Sequence, residues 1–107
     1  MIERIYIKGR TFSASGEIDV STRKVTIYKR STINPLKTDV YGEYTANLKQ
    51  KLINDGILVN NEFARDYTFD YPATASALIC GARPGYRVIK LVRNDRSIRD
   101  LFTELRI

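Results

Sequence analysis

The sequence predicts an α+β fold, an antiparallel sheet of short strands and hairpins covered by two or three helices. Three observations carry this expectation. Extended, β-branched and aromatic runs separated by turn residues fill the first third of the chain. Apolar residues at intervals of three and four then mark a helix in the middle. Two further helical stretches follow, one opened by Pro72 and one by Ser97.

Residues 2 to 8 read as the first strand, because Ile2, Arg4, Tyr6 and Lys8 alternate with Glu3, Ile5 and Ile7. A second extended piece around Phe12-Ser13-Ala14 ends at Ser15-Gly16, a turn signal, and Val25-Thr26-Ile27-Tyr28 supplies a third strand. Together they make a three-stranded antiparallel meander. Residues 31 to 38 form a loop containing Asn34-Pro35, after which Tyr41, Tyr44, Leu48 and Leu52 fall on one helix face. Thr38 or Asp39 caps that helix and Gly56 stops it. Ile57-Leu58-Val59, the polar Asn60-Asn61, then Phe63 and Tyr67-Thr68-Phe69 read as two strands of a hairpin.

Pro72 suits the first position of a second, buried helix that Gly81 ends. Arg83-Pro84-Gly85 then forms a turn, residues 86 to 92 an extended run, and Ser97 with Asp100 three positions on opens the last helix. Its apolar stripe is Ile98, Leu101, Phe102 and Leu105. These spacings place Leu48, Leu52, Phe69, Ala77, Leu78 and Leu101 in one core, and 107 residues suit a single domain over 1–107.

Composition narrows the function. The chain has no apolar run near the roughly 20 residues that span a bilayer, so no membrane is expected. Its N-terminus lacks the unbroken apolar stretch of a signal peptide, which points to a cytoplasmic protein. With one cysteine and no histidine, neither a disulfide nor a structural zinc site is expected, and Cys80, inside an apolar run, reads as a buried and inert thiol. No cofactor is implied. The missing histidine also removes the commonest general base, and no enzyme is expected. Asp66 and Asp70, evenly spaced on one strand face, offer Mg²⁺ oxygens together with Glu62, but solvent-facing acids account for the same spacing.

Eighteen basic against twelve acidic residues leave a net charge of +6. From Arg83 onward seven basic residues stand against three acidic ones, so most of the excess lies in the last quarter. Tyr86, Arg87, Lys90 and Arg93 mix an aromatic with cations, the combination that contacts a nucleic-acid backbone while stacking on a base. Arg83 stands beside Gly81 and Gly85, whose backbone amides are free to hold a phosphate oxygen; Lys29 and Arg30 extend the patch if their strand neighbours this one. Nucleic acid is therefore the expected partner. Seven tyrosines suit a protein interface equally, so an inhibitor or adaptor of a larger enzyme is the competing expectation.

A series of phrases runs through most of the chain: Val25-Thr26-Ile27-Tyr28-Lys29-Arg30-Ser31, then residues 48 to 58 ending Asp55-Gly56-Ile57-Leu58, then Asp66-Tyr67-Thr68-Phe69. Tyr71-Pro72-Ala73-Thr74-Ala75-Ser76-Ala77 up to Gly81 follows, with Gly85, Ile89-Lys90 and Arg96-Ser97-Ile98 after it. In order and spacing this resembles the domain of unknown function 4357 family and, more distantly, the restriction-enzyme and adenine-methylase-associated domain. Tyr71 stands where that family has a serine, Ala73 replaces a second serine, and Ile89 occupies a tryptophan position. Asp70 is then the candidate N-cap for the helix at Pro72. The resemblance implies a nucleic-acid context, DNA rather than RNA, by association with nucleases and restriction-modification enzymes.

Overall fold

A computed structural model describes residues 1–35, 42–82 and 84–106. Strands β1 (Ile2–Lys8), β2 (Ser13–Asp19) and β3 (Val25–Ile27) form the expected meander. Two short strands complete the sheet, β6 (Tyr67–Phe69) beside β3 and β7 (Lys90–Leu91) beside β1, giving the antiparallel order β6-β3-β2-β1-β7. A separate two-stranded hairpin joins β4 (Leu58–Val59) to β5 (Glu62–Phe63). Helices α1 (Gly42–Asn54), α2 (Pro72–Cys80) and α3 (Ile98–Leu105) make the fold α+β, as the sequence predicts.

The sheet is one-sided. Ile5, Ile7, Ala14, Ile18, Val25, Ile27, Phe69 and Leu91 are buried and cluster with Leu52, Leu78, Ile79, Ile98, Leu101 and Phe102 of the helices. Alternation sends the intervening residues to the other face, where no described strand position is fully buried. Of the expected core, Leu52, Phe69, Ala77, Leu78 and Leu101 are buried, and Leu48 packs partly buried against the cluster.

Local chemistry explains most element ends. Asn60 and Asn61 both take positive φ, 53° and 64°, the backbone of a tight two-residue hairpin turn that asparagine tolerates. Pro72 opens α2, and Gly81 closes it at φ 71°, donating its N–H to the Ala77 carbonyl. Asn34 occupies the C-terminal end of the same helix: its backbone N–H reaches the Ile79 carbonyl at 2.8 Å and its side-chain amide the Cys80 carbonyl at 2.9 Å. The Ser97 hydroxyl accepts the Asp100 N–H and caps α3.

Several expectations are corrected. Ser15-Gly16 is not a turn but the middle of β2, because Gly16 lies where β3 approaches so closely that a Cβ would strike the Thr26 carbonyl oxygen. The hairpin partner of β4 is Glu62–Phe63, leaving Tyr67–Phe69 to pair with β3 instead. Tyr44 is 64% exposed, so the inward face of α1 runs through Thr45, Leu48 and Leu52. Tyr71, not Asp70, is the N-cap of α2, with no side-chain cap bond. Residues 86 to 92 are not one strand: Gly85–Val88 is a 3₁₀ turn, which swings Tyr86 inward before β7 begins. Leu105 is 44% exposed at the end of α3. The caps expected from Thr38 or Asp39, and Tyr41, lie outside the described residues.

Candidate nucleic-acid interface

The structure disperses the cationic strand expected near the C-terminus. Tyr86 is partly buried and packs against the core, its ring edge-on to Phe102 with centroids 5.8 Å apart. Arg93 donates from Nε to Glu3 Oε2 at 3.0 Å across the β1–β7 edge, a contact 90 residues apart in sequence. Gly81 spends its N–H on the helix cap and offers it to no phosphate. Arg87 is exposed on the 3₁₀ turn, Lys90 is half-buried on β7, and Arg83 lies outside the described residues.

Lys29 and Arg30 are exposed in a short excursion after β3, where Arg30 takes φ 77° and the Ser31 N–H returns to the Tyr28 carbonyl. The Asp66 carboxylate accepts the Lys29 backbone N–H at 2.7 Å and holds this excursion in place. The strand carrying them does not neighbour β7, because β2 and β1 intervene. At about 4.8 Å per strand the two groups lie roughly 14 Å apart across the sheet. Both nevertheless sit at the same end, since Ile27, Gly16, Ile5 and Leu91 form one row and everything after Ile27 and before Leu91 lies beyond it.

That end carries two cations the sequence reasoning passed over, Lys8 at the close of β1 and Arg10 in the following turn. Among the described residues Lys8, Arg10, Lys29, Arg30 and Lys90 form no ion pair, whereas Arg93 is paired with Glu3 and Arg96 with Glu104. The open face beside them holds a cross-strand row of Tyr28, Ser15, Tyr6 and Lys90, fixed by the Tyr28 N–H bond to the Ser15 carbonyl and by the registers Tyr6↔Ser15 and Tyr6↔Lys90. The Tyr6 hydroxyl donates to Asp95 Oδ1 at 2.9 Å, which raises the phenol's pKa above its usual value, with desolvation adding to the effect. The Tyr28 hydroxyl donates to Glu17 Oε1 at 3.1 Å. Alternation in β1 already separated Arg4, Tyr6 and Lys8 from the buried isoleucines; what sequence did not show was which strands bring Tyr28 and Lys90 alongside them.

The acids considered for Mg²⁺ do not converge on a site. Asp66 is engaged with Lys29, and no group of three or more described acid or cysteine residues is placed to hold a metal ion. Cys80 is partly buried, and that burial pushes its thiol up to about 11.

No helix among the described residues is long and apolar enough to cross a membrane. Comparison with curated proteins finds no match, and comparison with solved structures finds none. The family described as Domain of unknown function (DUF4357) matches residues 5–90, from the middle of β1 to the first residue of β7. The chain belongs to that family.

Proposed function

We propose that this protein is a nucleic-acid-associated accessory binding module, acting on DNA in a nuclease or restriction-modification setting, and that it binds without catalysing a reaction. The observation that carries the proposal is the set of cations Lys8, Arg10, Lys29, Arg30 and Lys90 at one end of the sheet, with no ion pair among the described residues. Unpaired cations at one edge are free to replace the counterions condensed on phosphate, and doing so drives nonspecific affinity. The preference for DNA and the enzymatic setting rest on the resemblance to the restriction-enzyme and adenine-methylase-associated domain.

The test is fluorescence anisotropy with labelled DNA at several salt concentrations, comparing the unaltered protein with a variant carrying glutamine at the five cations. The unaltered protein should bind with steep salt dependence, and each phosphate contact removed should flatten the log–log slope by about 0.9 on duplex DNA or about 0.7 on a single strand. An unchanged slope in a folded variant would refute the proposal. A second reading, a protein-interaction module, is favoured by the exposure of Tyr44 and Tyr71, at 64% and 63%. It takes precedence if no DNA binds at low salt.

A further inference from the structure

We infer that the open face of the sheet is a platform for single-stranded DNA, with Tyr6 and Tyr28 as the rings on which unpaired bases stack. This rests on the nucleic-acid reading above and names the form of nucleic acid and the face that takes it. An antiparallel sheet with one face packed on helices and the other free of fully buried side chains commonly has a solvated, polar outer face. Here that face instead carries two half-buried tyrosines in one cross-strand row.

Each ring is tethered at its tip. Tyr28 lies opposite Ser15 yet bonds Glu17, its diagonal neighbour on β2, so its ring leans over the sheet rather than standing away from it. Tyr6 lies opposite Lys90 and bonds Asp95, which follows β7, so its ring leans in the same direction across the sheet, towards the β7 edge. Each ring is only partly buried, so part of its surface remains open to a stacking base. Ser15, the residue between them, is too small to fill the gap.

Spacing selects the ligand. The two residues sit two strands apart, about 10 Å between their backbones, a spacing that suits bases splayed one to a ring and is too wide for neighbours in a continuous stack rising about 3.4 Å each. A duplex keeps its bases stacked and paired and cannot present them flat to this face. Charge serves the ligand's backbone: Arg4 and Lys8 lie two residues to either side of Tyr6 on the same face, and Lys90 lies opposite it. None of the three forms an ion pair among the described residues. Backbone phosphates follow β1 and β7 while the bases reach across to Tyr28.

The experiment measures binding of a labelled deoxythymidine oligomer, the ribo-oligomer of matching sequence and a DNA duplex by anisotropy, and follows tyrosine emission, which is the intrinsic signal because the chain has no tryptophan. Single-stranded DNA should bind more tightly than duplex and quench that emission. Tyr6→Leu and Tyr28→Leu should each weaken single-strand binding by about 5- to 150-fold, whereas Tyr6→Phe, which keeps the ring but loses its tether, should lose clearly less than Tyr6→Leu. Circular dichroism confirms that each variant is folded. Folded leucine variants that bind the single strand as well as the unaltered protein would overturn the inference, and so would tighter binding to duplex or to RNA. In those cases loss of binding in the five-cation variant still upholds the wider reading. Absence of binding to every probe at low salt sinks both.

Discussion

Replacing Gly16 by alanine tests the sheet on which the proposed face is built. Gly16 is buried in the middle of β2, opposite Ile27 of β3 and Ile5 of β1. A methyl group there would run into the Thr26 carbonyl oxygen and stand only 3.0 Å from its carbon and 3.1 Å from the Ile27 Cα. The obstructing atoms are backbone, so no rotamer change relieves the clash; β2 and β3 must part by about an ångström, far enough to forfeit much of the local packing and weaken the ladder. Overpacking of this kind costs about 1–3 kcal/mol, one or two weakened ladder bonds about 0.5–1.5 kcal/mol each, and the stiffer unfolded chain returns about 0.4–1 kcal/mol. The expected loss is about 3 kcal/mol, or roughly 10–20 °C in the melting midpoint for a chain of this size. Thermal unfolding followed by circular dichroism measures it, with Ser15→Ala, exposed on the same strand, as the control expected to stay within about 0.5 kcal/mol. A midpoint within about 2 °C of the unaltered protein would show that β2 and β3 are not in contact at Gly16, and that the strand ends there in a turn.

Leu52 is 1% exposed on the inward face of α1, so Leu52→Ala should cost about 2–5 kcal/mol in urea unfolding; an unchanged midpoint would place a different face of the helix inward. Cys80 should react with iodoacetamide at pH 8 roughly 10- to 100-fold more slowly in the folded protein than in urea, because burial holds the thiol at about 11 against 9.0 when free. The same shift has a consequence for stability. Between those two values the unfolded chain has lost the thiol proton and the folded one retains it, so this group's contribution falls as pH rises through the window.

The parts of the fold legible in sequence are those written by neighbouring residues. Pro72 and Gly81 bracket α2, Ser97 caps α3, and the isoleucines of β1 alternate because each signal acts within a few positions. Gly16 reads as a turn residue in sequence because glycine serves both turns and close backbone approaches, and only the partner strand tells them apart. Tyr67–Phe69 pairs in sequence with the nearer strand, because its partner in the structure, β3, lies about forty residues earlier. The candidate site suffered in the same way. Arg93 looks free until Glu3 is brought beside it, and Tyr86 looks available until α3 supplies Phe102.

Acids also occupy the open face, and their positions decide whether they oppose a phosphate backbone. Asp66 and Asp70 flank β6, three strands from β1 and four from β7, or roughly 14 to 19 Å from Tyr6 and Lys90. The screening length at physiological ionic strength is about 8 Å, so their repulsion is largely lost before it reaches the cations there. Glu17 and Asp95 are nearer, but each carboxylate accepts a tyrosine hydroxyl, and each lies close to a cation: Glu17 opposite Arg4 in the β1–β2 register, Asp95 in the turn that follows Lys90. The face is thus uneven rather than neutral, with Arg4, Lys8 and Lys90 along β1 and β7, and Asp66 and Asp70 at the ends of β6. A polyanion laid on it has one favoured track, beside Arg4, Lys8 and Lys90, and its bases must point towards the acidic edge, where Tyr28 is the ring within their reach.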